Sequence, residues 1–197
     1  MRLITTVAAL ALLAACGQTT TVTPSDEPTA VEAPAVDANA ITSEGWNGLR
    51  IGMTRAEVTA AVGDDADPNA VGSADPAACD LYHPANTPEG VLVMIERGLL
   101  TSIIVRNNTE LRTDRGFGVG STGAEIKAAY GASAVSEPHK YVEGAEYITA
   151  WTANAPGAEG YTENAAARGI RYETNAQGVV TGVQAGGPSI QYVEGCS

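Results

Sequence analysis

Positive charge is scarce in this chain. It carries 11 Lys and Arg against 23 Asp and Glu over 197 residues, a net charge of −12. Proteins that hold nucleic acid neutralise phosphates with a basic patch, and a chain this acidic offers none. Electrostatic adhesion of the folded part to anionic headgroups is excluded on the same ground. Histidine is almost absent, with only His83 and His139, and nothing in their spacing makes them meet as metal ligands do. There are three cysteines and no Cys-x-x-Cys, which argues against thiol redox catalysis. The chain also lacks a Gly-x-Ser-x-Gly elbow, a P-loop and a His-Glu-x-x-His pair. These absences leave no enzyme class and no cofactor indicated. With a single Phe, the core must be built from aliphatic residues with Tyr and Trp.

What is present begins at the N-terminus. Arg2 is the only charge before a run of apolar and small residues, Ile4 to Ala15, broken only by Thr5 and Thr6. That is the length of a signal-peptide core and falls short of the roughly 20 residues that cross a bilayer. The run ends in Leu13-Ala14-Ala15-Cys16, which resembles the lipobox of bacterial lipoproteins. The resemblance implies cleavage after residue 15 and acylation of Cys16. With Gly17 rather than Asp after the Cys, it also implies sorting to the outer membrane, facing the periplasm. Membrane contact is then expected through the N-terminal lipid only. Without Arg2, ten Lys and Arg face the 23 acids, a mature net charge of −13.

Residues 16–44 read as the lipidated Cys followed by an acidic tether of Thr, Pro, Ala and Val, too poor in large apolar groups to order itself. Its 28 residues after the Cys would reach roughly 30 Å as a flexible coil. From Trp46 the composition is that of a globular domain, and an internal repeat organises it. Leu49–Gly63 and Phe117–Gly131 match at seven of fifteen positions with an offset of 68. In each copy a Thr is followed three residues later by Glu: Thr54 with Glu57, and Thr122 with Glu125. That spacing is a capping box, in which two otherwise unsatisfied amides are bonded reciprocally, and it accounts for both glutamates without catalysis. Alanines favour helix in between, and Gly63 and Gly131 stand where a glycine stops it.

Strand signals follow each helix. In the first half they fall at residues 81–83, 91–96 and 99–105, with Arg97-Gly98 as a tight turn. In the second they fall at 147–152, 169–173 and 179–184, with a turn over 175–178 and a further edge strand at 190–193. The expected class is α+β: two tandem units, residues 45–110 and 111–197, each a short helical segment followed by an antiparallel β-meander.

The run Ile51-Gly52-Met53-Thr54 with Val58 and Gly63 resembles the start of the small outer-membrane lipoprotein that assists β-barrel assembly, the SmpA/OmlA (BamE) type. Val119-Gly120-Ser121-Thr122 with Ile126 and Gly131 is similar. That family packs two short helices on a three-stranded antiparallel sheet in one unit, where this chain carries two. A tandem pair also resembles the β-lactamase inhibitor protein and tandem-unit proteins of alphaproteobacteria. The resemblance implies an envelope-assembly accessory or an inhibitor-like binder.

With Cys16 lipidated, Cys79 and Cys196 form an even pair in an oxidising compartment, which suggests a disulfide; two free thiols are the alternative. Asp65-x-Asp67-x-Asn69 imitates a calcium loop but has Ala70 and Pro76 at its sixth and twelfth positions, where Gly and Glu are needed. The glycines of Gly116–Gly120 precede a helix without a βαβ unit, so they read as a turn into the second repeat. Most aromatics are expected in the core, with Tyr161 in the loop 153–167 the one most suspected of exposure. The function indicated is a non-catalytic module that binds an unidentified envelope protein. The alternative is a hydrolase or small-ligand-binding protein using His83 and His139 together with Asp80 and Glu137.

Overall fold

The computed structural model describes residues 37, 39–69, 73–156 and 161–196. The signal peptide, Cys16 and most of the tether lie outside the described residues. Strands β1 (Gly45–Trp46) and β2 (Leu49–Arg50) pair as a small ribbon, followed by helix α1 (Arg55–Val62). Strands β3 (Cys79–Tyr82), β4 (Val91–Glu96) and β5 (Leu99–Arg106) come next, then helix α2 (Gly123–Tyr130). The chain continues through β6 (Ala134–Pro138), β7 (Glu146–Ala153), β8 (Arg168–Thr174) and β9 (Val180–Gly186) to a 3-10 turn at Pro188–Gln191.

The seven strands β3 to β9 form one antiparallel sheet in the order β3-β4-β5-β9-β8-β7-β6. This corrects the expected class of two tandem helix-plus-meander units. The last strand of each meander pairs with the last strand of the other, from Ser102↔Gly186 to Arg106↔Gly182. Residues Ala35–Ser197 accordingly hold together as one compact unit. The physical reason is the edge. Left apart, each meander would expose β5 or β9 as an open strand carrying Ile103 and Val105 or Val183 and Ala185, which invites aggregation. Each helix has only eight residues, too few to stand without tertiary packing. Pairing β5 with β9 removes both edges and merges the two apolar faces.

Two further expectations are corrected. Ile190–Val193 is not an edge strand: the 3-10 turn at Pro188–Gln191 occupies its start, with Pro188 at the turn's N-terminal end. The true edge on that side is β6, whose largely exposed Ala134–Pro138 has no apolar alternation to announce it.

One face of the sheet carries the core. Val91, Val93 and Ile95 of β4, Leu100, Ile103 and Val105 of β5, and Ile170 and Tyr172 of β8 pack there against Val58 and Val62 of α1 and Ile126 of α2. A one-residue slip at Thr101 and another at Thr181 keep residues on both sides of each bulge facing this core. Each bulge threonine donates its hydroxyl to a carbonyl of the neighbouring strand, Met94 or Glu173. Ala40 and Ile41, which the sequence assigns to the tether, are buried, and the Ile41 amide donates to the Arg112 carbonyl at 2.9 Å.

Both capping boxes are formed. The Thr54 and Thr122 amides donate to Glu57 and Glu125 at 2.8 and 2.9 Å. These bonds, with the threonine hydroxyls, hold both carboxyls below the usual carboxylate range. Thr54→Ala and Thr122→Ala are each expected to lower stability by about 1 kcal/mol. In urea the midpoint should fall with an unchanged slope, because the same surface is exposed on unfolding.

Candidate functional site

Strand β8 reads Gly-Ile-Arg-Tyr-Glu over 169–173. Alternation sends Ile170 and Tyr172 into the core and Arg171 and Glu173 to the opposite face. Register then lays out two rows across four strands on that face. One is Ile104–Gln184–Arg171–Thr149, and the next is Arg106–Gly182–Glu173–Tyr147.

The C-terminal segment crosses these rows as a strap. The Ile190 carbonyl accepts from Arg171 Nη1 at 3.0 Å, and the Ser189 carbonyl accepts from the Gln184 amide at 3.4 Å. Glu194 accepts from Lys140 Nζ at 2.7 Å and from the Tyr141 hydroxyl. The strap ends at Cys196, which is bonded to Cys79 at the start of edge strand β3, with the Cα atoms 5.4 Å apart.

Strap and sheet border a small cleft, partly open to solvent, lined by Arg106, Arg171, Glu173, Tyr147, Tyr192 and Val193. Glu173 is fully engaged: Oε2 accepts from Arg106 at 2.8 Å and Oε1 lies 3.1 Å from His139 Nε2. Arg171 is only 6% exposed. Its guanidinium sits 3.8 Å from the Tyr147 ring centroid. Burial pulls its proton affinity down, against the opposing effects of Tyr147, Glu137 and Glu173. An arginine keeps its proton regardless, so the cost of burial appears in stability.

A larger groove runs beside the strap. It measures about 590 Å³ and is lined by Leu99, Tyr161, Tyr192 and Pro188, with Arg97 and Arg168. Tyr161 is 58% exposed, Leu99 45% and Tyr192 37%. Tyrosines of this kind present a large apolar surface with a polar tip and are favoured where proteins meet.

The structure separates the histidines that the alternative reading brings together. His83 follows β3 and His139 follows β6, the two outer strands, which are six inter-strand steps of ~4.8 Å apart. His83 Nδ1 donates to the Val91 carbonyl at 2.8 Å. His139 stacks on Tyr147, its Nδ1 accepts from the Tyr141 and Val142 amides, and its Nε2 is on Glu173. Both rings are therefore spent on structure. Asp80 is paired with Arg55, and Glu137 lies exposed on β6. Asp65 and Asp67 accept from backbone amides two residues on, as turn-forming aspartates do. In the glycine-rich run the Gly118 amide donates to Ser121 Oγ and the Gly120 amide to the Val180 carbonyl, so both are used internally.

Sequence reasoning passed over Arg106, Arg171 and Glu173. Alternation places Arg171 and Glu173 on the face opposite the core, which reads as solvated, and the strap, fixed by a distant cysteine, crosses that face and leaves Arg171 buried and Glu173 half-buried. Comparison with protein-family models, with curated proteins and with solved structures finds no match for this chain. The likeness to the assembly lipoprotein therefore rests on the two capped-helix segments.

Proposed function

We propose that this chain is an outer-membrane lipoprotein, anchored through Cys16 and facing the periplasm, whose folded part is a non-catalytic protein-binding module. The observation that carries the binding role is the groove of Leu99, Tyr161, Tyr192 and Pro188, where two exposed tyrosines and an exposed leucine flank a concave surface. A concave, partly aromatic surface with charged residues around it suits a partner's loop or strand. The Cys79–Cys196 bond supports an exported location, since such bonds persist in oxidising compartments. In this reading the acidic tether spaces the module from the lipid, and the partner is an envelope protein.

The test is crosslinking of the full lipoprotein in intact cells, followed by mass spectrometry. A specific envelope protein should be recovered with the native chain and lost with a Tyr161→Ser/Tyr192→Ser variant of unchanged thermal midpoint. Barrel-assembly components would mark an assembly accessory, and an enzyme would mark an inhibitor. Recovery of no protein above background would remove the binding-module reading. An identical set from the double variant would remove the groove.

A further inference from the structure

The C-terminal strap consists of two pieces held in different ways. Its first piece, Pro188–Gln191, is anchored to the sheet. Ile190 is fully buried with Trp151 and Ala167, and its carbonyl accepts from Arg171 at 3.0 Å. Gln191 clasps Thr162 twice: Nε2 donates to the Thr162 carbonyl at 2.8 Å, and Oε1 accepts from the Thr162 amide at 3.0 Å. The second piece, a tail from Tyr192 to Cys196, has little of this. The Tyr192 amide closes the 3-10 turn onto the Ser189 carbonyl. Among the described residues, no backbone group from Val193 to Cys196 hydrogen-bonds to another backbone group. What remains is the exposed pair of Glu194 with Lys140, the Tyr141 hydroxyl on Glu194, and the bond from Cys196 to Cys79. A segment so poor in backbone bonds opens at little cost, and an exposed ion pair adds little to hold it. The covalent bond is therefore what keeps the tail down.

The tail covers apolar surface and completes the groove. Met94 alternates with Val93 and Ile95, so it faces away from the core. It is nevertheless fully buried, and it belongs to neither core cluster. A methyl group built on Gly195 would touch Met94 Cε at 3.8 Å and Leu81 Cδ2 at 3.5 Å, so the tail backbone lies over both side chains. Tyr192 forms part of the groove wall with Leu99 and Tyr161. The bond itself is within reach. Cys79 and Cys196 are each half-buried, and both line a groove open to solvent beside Lys140 and Glu194. Thiol–disulfide exchange requires a thiolate to approach a sulfur, and this exposure permits it.

We infer that the Cys79–Cys196 bond is a redox latch: a dithiol that reduces it releases Tyr192–Cys196, while the sheet and the Pro188–Gln191 anchor stay in place. One thiol of the dithiol loses its proton and attacks a sulfur of the bond, forming a mixed disulfide. The other cysteine leaves as a thiolate and takes up a proton. The second thiol of the reductant then displaces the remaining cysteine in the same way. Two electrons pass to the protein, which gains two thiols, and the dithiol becomes a disulfide. Release uncovers Met94 and withdraws Tyr192 from the groove. The consequence for binding rests on the role proposed above for that groove: the oxidised chain holds its partner and the reduced chain lets it go.

The test uses the full lipoprotein in detergent, with Cys79→Ser/Cys196→Ser standing for the open state. Dilute hydrogen peroxide converts an accessible methionine to its sulfoxide, which peptide mass spectrometry reads. Met94 should oxidise at least about tenfold faster in the double variant than in the native chain, because a covered side chain reacts only when its cover opens. Tryptophan emission should stay unchanged, since Trp151 packs on the anchored Ile190. Equal protection of Met94 would overturn the latch, as the tail would then stay down without its bond. A red-shifted emission would overturn it too, as the whole fold would then have opened. A second measurement needs no variant. The native chain, reduced with dithiothreitol in the absence of denaturant, should be trimmed by a serine carboxypeptidase as far as Gln191 and no further. Resistance to the dithiol, absence of trimming or digestion running past Gln191 would each sink the inference. In intact cells the double variant should lose the crosslinked partner. A partner retained by a variant whose Met94 is accessible would overturn control of the groove. No partner with the native chain would remove the groove reading and leave the latch to be decided by Met94.

Discussion

Reducing the Cys79–Cys196 bond is expected to cost the folded region on the order of 4–5 kcal/mol. The bond spans 117 residues of sequence, so it removes a long loop's worth of freedom from the unfolded ensemble. That cost corresponds to a fall in thermal midpoint of about 10 °C or more, at roughly 2–4 °C per kcal/mol for a chain of this size. The placement of the bond adds a second effect. It joins β3, at one edge of the sheet, to the end of a strap that crosses the middle strands. Without it the strap keeps the Arg171–Ile190 bond and the exposed Lys140–Glu194 pair, and an exposed ion pair contributes little. Cys79→Ser, Cys196→Ser and the double variant should therefore lose the same stability, with no addition between them, since each removes the same bond. Scanning calorimetry with and without reductant checks this. A native midpoint that does not move on full reduction would show that the strap is held by its other contacts alone.

How much of this arrangement the sequence reveals depends on the range of the interaction concerned. Strands β4, β5, β7, β8 and β9 are legible within two residues of their ends, because alternation of apolar and polar residues is a local signal. Both helices are legible from end to end, because the Thr54–Glu57 and Thr122–Glu125 boxes and the closing glycines act over one turn. The pairing of β5 with β9 is not legible. It joins residues about 80 apart, and either strand alone would read equally well as the edge of its own meander. The same holds for the candidate site. Tyr161 stands out in sequence because it lies in a loop of small and polar residues. Arg171 does not, because its burial depends on the strap, and the strap's path depends on a disulfide partner in the other half of the chain. The two histidines are among the chain's rarest titratable side chains. Their hydrogen bonds show each completing a local turn, where the backbone needed a partner.

Ile126→Ala is expected to destabilise the entire folded region by about 2–5 kcal/mol as one transition. Ile126 is the fully buried residue by which α2 grips the sheet, packed in the same cluster as Val58 of α1 and the core strands of both halves. Removing its side chain leaves a cavity under α2 that a continuous, paired sheet cannot close by local collapse. The two tryptophans make the range of the damage measurable. Trp46 lies in β1, in the first half of the chain, and its indole donates to the Asn39 carbonyl at 2.9 Å. Trp151 lies in β7, in the second half, and is buried against Ala167 and Ile190. Urea unfolding followed by fluorescence in Trp46→Phe and Trp151→Phe backgrounds isolates each reporter. Because β5 and β9 make the two meanders one sheet, Ile126→Ala should move the midpoints reported by Trp46 and by Trp151 downward together. Two independently folded units would behave otherwise: the Trp151 transition would shift while that of Trp46 stayed in place. Coincident shifts from a substitution in the second half, read by a tryptophan in the first, are what a single cooperative core requires.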